Sequence, residues 1–104
     1  MNILDIVNTF FYHECEQEIQ NKPEFKKLKV SMIPKRYSVT YEKNVWHVNV
    51  VLPIEDSTDI ITIERAYSME TIEAVLPMIM NEEIPEFCFF EIGGVEQVSD
   101  PEPE

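Results

Sequence analysis

Two short stretches with matching alternation of apolar and polar residues constrain the fold of this chain more than any other feature. Residues 37–41 read YSVTY and residues 46–50 read WHVNV. A two-residue turn at 43–44 would bring the two apolar sets onto one face, as a β-hairpin with one buried face requires. Asn44 tolerates the left-handed backbone that such a turn needs. The predicted register pairs Tyr41 with Trp46, Val39 with Val48 and Tyr37 with Val50.

The rest of the chain predicts helices and strands around this hairpin. Residues 2–20 have helical spacing of apolar side chains, with Asn2 as N-cap. A second amphipathic helix begins after the N-cap Ser68, contains Pro77 and closes by 82–85. Further strands are expected at 28–33, 60–66 and 86–92. The expected fold is an α+β, two-layer domain with an antiparallel sheet of four to five strands and both helices on one face.

The length of 104 residues, 44% of them hydrophobic, fits one folded domain. We place this domain at residues 1–94. The segment 95–104, which follows Gly93 and Gly94, is acidic, contains two prolines and has little apolar surface to bury. It is therefore expected to form a mobile tail.

Charge is divided unequally between the two halves of the chain. Residues 1–52 carry seven basic and six acidic side chains, a net of +1. Residues 53–104 carry fourteen acids and one base, Arg65, a net of −13. Such a field repels nucleic acids and anionic membranes and attracts basic proteins, so direct binding to either anionic partner is not expected.

The N-terminus and the cysteines predict a cytoplasmic location. The first residues, MNILDIVNTFF, lack the basic region of a signal peptide, and Asp5 and Asn8 interrupt the apolar run. No stretch approaches the roughly 20 apolar residues of a membrane span. Cys15 and Cys88 are too few and too far apart for a disulfide framework.

Neither the histidines nor the cysteines show the spacing of a metal or catalytic motif, and no cofactor is expected. His13 and His47 lack a second ligand at close spacing. Cys15 has glutamates on both sides, which disfavour a reactive thiolate. Glu14 is unusual because it falls in the apolar arc of the first helix. Either the end of that helix is solvated, or Glu14 is a functional carboxylate in a pocket.

Residues 22–36 form a lysine-rich segment, whose positive charge contrasts with the acidic second half of the chain. It contains Lys22, Lys26, Lys27, Lys29, Lys35 and Arg36, with Glu24 as its one acid. In a neutral protein it would suggest nucleic-acid contact. Here, neutralisation of the molecule's own acidic field is the favoured interpretation.

The acidic half supports the leading hypothesis: a non-enzymatic binding protein that docks on a basic, nucleic-acid-handling partner such as a nuclease and inhibits it. Phage-type inhibitors, nucleic-acid mimics and immunity proteins work in this way. The alternatives are a structural or adaptor domain whose acidity serves solubility only and whose contacts run through the polar sheet face or the methionines, and a small enzyme using Glu14 or His47. Homo-oligomerisation is left open. The predicted partner-binding residues are Glu55, Asp56, Asp59, Glu70, Glu73, Glu82, Glu83 and Glu86.

Overall fold

A computed structural model describes residues 2–85 and 97–101, and it shows an α+β fold. Two helices and a three-stranded antiparallel unit form its main part, together with a short 3₁₀ turn at Pro23–Phe25 and a C-terminal strand. In chain order the helices and strands are α1 (Ile3–Asn21), β1 (Arg36–Glu42), β2 (Val45–Pro53), β3 (Ile60–Ser68), α2 (Met69–Met80) and β4 (Gln97–Pro101).

The predicted hairpin register is confirmed. β1 and β2 pair in antiparallel fashion with Tyr41 opposite Trp46 and Val39 opposite Val48. Lys43 and Asn44 have φ angles of 53° and 64°, so both adopt the left-handed conformation. A two-residue turn with both residues in this conformation matches the right-handed twist of the strands.

The antiparallel part of the sheet has three strands, fewer than the four to five expected. β3 pairs with β2, and residues 28–33 contribute only one isolated bridge, Val30 with Ile54. Pro34 follows this segment and has no N–H to donate, so a ladder cannot continue through it into β1. The expected strand at 86–92 lies outside the described residues.

A fourth strand, β4, pairs with β1 in parallel and gives the strand order β3-β2-β1-β4. β4 falls within residues 95–104, for which the sequence predicts a mobile tail. Parallel pairing along an edge strand uses main-chain groups, and these leave no trace in side-chain composition. The mobility of the tail stays a prediction.

Both helices contribute to a core on one face of the sheet, which we call the inner face. α1 begins with a capping box, in which the Asn2 side chain accepts from Asp5 N–H and the Asp5 carboxylate accepts from Asn2 N–H. The buried apolar residues are Ile6, Val7, Phe11 and Cys15 of α1, Tyr37, Val39, Val48, Val50, Leu52, Ile61, Ile63 and Tyr67 of the sheet, Ile72, Val75 and Ile79 of α2, and Ile84.

The rim of this core is less buried than its centre. Val39 and Val48 are fully buried, whereas Tyr41 and Trp46 are half-buried next to the hairpin turn. Their rings pack against each other with centroids 4.7 Å apart. Neither described helix is both long and apolar enough to cross a membrane.

Candidate partner-binding surface

Seven of the eight predicted partner-binding carboxylates lie in the described residues, and all seven are exposed: Glu55, Asp56, Asp59, Glu70, Glu73, Glu82 and Glu83. The eighth, Glu86, lies outside the described residues. None of the seven forms an ion pair with a described residue. Their charges are therefore open to solvent and to a partner.

Three of these acids lie in the loop 55–59, which we call the acidic loop. The loop joins β2 to β3 and is closed by a hydrogen bond from Ile54 N–H to the Asp59 carbonyl, with N···O 3.2 Å. Glu55 N–H donates to the Lys29 carbonyl, with N···O 2.8 Å. The tertiary structure thus brings the acidic loop beside the lysine-rich segment, whose charge opposes its own.

Glu70 and Glu73 lie on α2, which starts at its predicted N-cap. The Ser68 side chain accepts from Thr71 N–H at 3.3 Å. Helical spacing turns Ile72 inward to the core, and the two glutamates point to solvent. Glu70 in the first turn also suits the positive end of the helix dipole.

Glu82 and Glu83, which we call the exit acids, close α2 in a Schellman motif. Glu82 N–H bonds to the Ile79 carbonyl at 3.1 Å, and Glu83 N–H bonds to the Met78 carbonyl at 2.8 Å. Glu82 has φ 61°, at the position where glycine is normally preferred. Acids at a helix C-terminus are also disfavoured by the dipole. Local energetics therefore oppose both residues at this place.

The acidic loop and the start of α2 lie at opposite ends of the β2–β3 ladder. The β2–β3 ladder runs through nine pairs, from Pro53–Ile60 beside the acidic loop to Val45–Ser68 at the start of α2. At about 3.4 Å per residue these ends are about 27 Å apart. Glu70 and Glu82, by contrast, lie within about 18 Å along one helix axis. Glu70 and Glu73 are therefore far from the acidic loop, whereas the acids of α2 and its exit share one helix and its end.

Arg65 carries the principal electrostatic contact that the sequence analysis missed. It lies on the inner face of β3, between Ile63 and Tyr67, where period-2 spacing predicts an apolar residue. Its guanidinium pairs with Glu18 and, at 3.8 Å, with Glu14 of α1. The Glu18 hydrogen bond raises the pKa of the guanidinium further above its ordinary value. The sequence did contain a signal for this ion pair, because an acid in the apolar arc of α1 and a base among the apolar positions of β3 have opposite charge.

Neither expectation for Glu14 describes the structure. The end of α1 is not simply solvated, because Cys15 is fully buried and the Glu18 side chain is only 14% exposed. Nor is Glu14 a free pocket carboxylate, since it pairs with Arg65 and accepts from the Tyr67 hydroxyl. Glu14 does line an open groove of about 460 Å³ together with Phe10, His13 and Glu18. The charged groups that face the groove are already partnered, which favours a structural role for them.

Glu14 and His47, the alternative residues of the enzyme hypothesis, lie on different faces of the sheet. Glu14 lies over the inner face of the sheet, whereas His47 is exposed on the opposite, outer face. There His47 shares a shallow pocket of about 230 Å³ with Ser38, Thr40 and Asn49, the polar set that the hairpin register predicts. Asn49 donates to Glu64 at 2.7 Å.

The thiol and metal candidates add no reactive group among the described residues. Burial raises the pKa of the Cys15 thiol to about 12, so the thiol stays protonated at neutral pH. Within residues 2–85 and 97–101 no three His, Cys, Asp or Glu side chains cluster as metal ligands would. Cys88 lies outside the described residues. Comparison with family models, curated proteins and solved structures finds no match.

Proposed function

We propose that this protein is a non-enzymatic, cytoplasmic binding protein. Its carboxylates dock on the basic surface of another protein, of the kind that nucleases and other nucleic-acid-binding proteins present, and block that surface. Fixed carboxylates can take the place of phosphates there. The observation that carries the proposal is the set of exposed carboxylates on α2 and its exit, none of which pairs with a described residue.

The positions of the protein's own basic residues support this proposal. Arg65, the one basic residue of residues 53–104, is held by Glu14 and Glu18. The lysine-rich segment adjoins the acidic loop rather than forming ion pairs with the acids of α2. None of the acids of α2 and its exit forms an ion pair with a described residue, so their charges are left to attract a basic partner.

The exit acids add a second line of support. A surface selected for solubility alone has no need of acids at a helix C-terminus or of a glutamate with φ 61°. Residues that break local rules are frequently retained for function. Glu82 and Glu83 are therefore the acids whose positions are hardest to attribute to solubility.

The adaptor alternative is favoured by the exposed Met78 and Met80 and by the polar pocket on the outer sheet face. Ser38, Thr40 and His47 offer hydroxyl and imidazole groups on a rigid sheet. Contacts through this face would depend little on salt, because they are hydrogen bonds rather than a summed charge field.

The test begins with capture of partners from a relevant lysate at low salt, elution with a salt step and purification of the partner. Binding is then measured with three triple variants of matched charge change. The first is Glu70→Lys/Glu73→Lys/Glu83→Lys, and the second is Glu55→Lys/Asp56→Lys/Asp59→Lys. The third, with opposite sign, is Lys26→Glu/Lys27→Glu/Lys29→Glu.

We expect the α2 triple variant to abolish binding, the acidic-loop variant to weaken it modestly and the lysine variant to preserve it. Affinity for the partner should also fall steeply as salt is added. A nucleic acid that binds the partner should compete with the protein. Equal sensitivity of all three variants, or affinity that is independent of salt, would reject the proposed function in favour of the adaptor alternative.

A further inference from the structure

α2 exposes large apolar side chains that its amphipathic pattern does not require. Met80 is 72% exposed and Met78 is 39% exposed, although Ile79 between them is buried. Ala74 and Pro77 on the same helix are exposed as well. We call Ala74, Pro77, Met78 and Met80 the apolar band. The helical wheel of the sequence places Met80 at the edge of the buried arc, and in the structure this residue faces solvent.

The apolar band crosses the outer side of the helix. At 3.6 residues per turn, its four members follow one another around about 160° of arc, in the order Met80, Pro77, Ala74 and Met78. They occupy the last two turns of α2, and each lies about 100° or more around the helix from the buried Ile79. The band is therefore a continuous apolar surface rather than scattered single residues, which would need no explanation.

Acids bound this band at both ends along the helix axis. Glu70 and Glu73 precede it, and the exit acids Glu82 and Glu83 follow it. α2 contains no lysine or arginine. An apolar centre with a charged rim is the usual layout of a protein–protein interface. Methionine suits such a centre because its flexible side chain adapts to a partner's shape.

We infer that the apolar band is the centre of the docking surface, with Met78 and Met80 at its two edges as the anchors. The occupant is a partner segment that presents an apolar patch ringed by lysine or arginine. This inference rests on the proposed function and adds to it a requirement for apolar contact. Charge complementarity identifies the occupant, since only a basic rim matches acids at both ends of the band.

A second copy of this chain fits the band less well. Two α2 helices packed through their bands would bring acids of one copy against acids of the other, because each band is flanked by acids on both sides. The formal net charge of −12 on each chain adds to this repulsion. A basic partner meets neither obstacle.

The test uses two synthetic peptides with equal numbers of lysines. The first forms an amphipathic helix with a leucine stripe between the lysines, and the second has serine in place of each leucine. Binding of both is measured by calorimetry to the full chain and to the Met78→Ser/Met80→Ser variant. The Leu28→Ser/Ile33→Ser variant is the matched control, since Leu28 and Ile33 are 40% and 58% exposed in the lysine-rich segment.

We expect the wild-type chain to bind the leucine peptide at least about tenfold more tightly than the serine peptide, and the methionine variant to lose this preference. The control variant should keep it. Because Met80 is the more exposed anchor, Met80→Ser alone should lower the preference without affecting folding, as judged by circular dichroism.

The outcomes separate the inference from the proposed function. Equal binding of both peptides to the wild type, or an unchanged preference in the methionine variant, would overturn the inference and leave a purely electrostatic docking surface. Failure of both peptides to bind at low salt would reject the proposed function as well. A wild-type dimer that becomes monomeric in the methionine variant would assign the band to a second copy and also overturn the inference.

Discussion

Arg65 of β3 and Glu18 of α1, 47 positions apart in the sequence, form an ion pair at the edge of the core. Glu18 also lies 3.6 Å from Lys22, and Glu14 completes the group through Arg65 and Tyr67. The one charged side chain among the inner-face residues of β3 is thus neutralised by the two carboxylates that α1 turns toward the sheet. These contacts tie the first helix to the third strand.

Replacing Arg65 should destabilise the protein. Arg65→Met keeps much of the aliphatic volume but leaves Glu14 without a cation and Glu18 with Lys22 alone. We expect a loss of about 1–3 kcal/mol in the free energy of unfolding, measured by urea denaturation at neutral pH, because the carboxylates are only partly exposed.

A second substitution distinguishes the charge effect from packing. Adding Glu18→Gln to Arg65→Met removes the more buried of the two carboxylates that faced Arg65 and should recover part of the lost stability. An Arg65→Met variant as stable as the wild type would show that the ion pair contributes nothing measurable.

Two tyrosines of β1 provide a matched pair for testing a buried hydrogen bond. The Tyr37 hydroxyl donates to Asn8 Oδ1 in the core, whereas the Tyr41 hydroxyl donates to Asn44 at an exposed site, 3.0 Å away. Tyr37→Phe removes the donor and leaves the buried Asn8 Oδ1 without this hydrogen bond. This change should cost about 1–3 kcal/mol of unfolding free energy. Tyr41→Phe should cost less than about 0.5 kcal/mol. Similar costs for the two variants would contradict this prediction.

Stability should fall at alkaline pH because buried groups resist ionisation. Burial raises the pKa of the Cys15 thiol from 9.0 to about 12. Burial and the hydrogen bond to Glu14 raise the pKa of the Tyr67 phenol well above its usual 10.0. The folded protein therefore holds protons that the unfolded chain releases. This contribution is complete below about pH 9 and is lost progressively as the pH rises toward 12.

Urea unfolding at a series of pH values measures this loss directly. Each group that stays protonated only in the folded state contributes a slope of about 1.4 kcal/mol per pH unit within its window. Cys15→Ala removes one such group and should make the slope shallower. The reverse trend, with stability rising above pH 9, would show that these groups are not buried as described.

Glu82→Gly should stabilise the protein. Glycine adopts φ 61° without a side-chain penalty, and the substitution also removes an acid from the C-terminus of α2. We expect a gain of about 1 kcal/mol, measured as a rise in melting temperature of about 4–8 °C.

The control for this variant is Glu83→Gly, at a neighbouring position whose φ is not positive. It should bring no comparable gain, because it adds backbone freedom to the unfolded chain. If Glu82→Gly stabilises the fold and also weakens binding of the leucine peptide, Glu82 is retained for docking at the expense of stability.

Local patterns predict local structure in this chain. The hairpin register, the turn at Lys43 and Asn44 and the N-caps Asn2 and Ser68 all follow from residues close together in sequence, and each is confirmed. The exposure of Glu70 and Glu73 follows from helical spacing in the same way. Periodicity and capping act over a few residues, so a single sequence contains their full signal.

Local sequence patterns are sufficient to predict the β1–β2 pairing, the two amphipathic helices and the excess of acidic charge. The packing of the folded chain is what brings Glu14 and Glu18 to Arg65, Lys29 to the acidic loop and β4 to β1. These contacts join residues distant in sequence, and no local pattern encodes which distant partner a charged side chain or strand edge will meet. Their positions follow from how the helices and strands pack around one core.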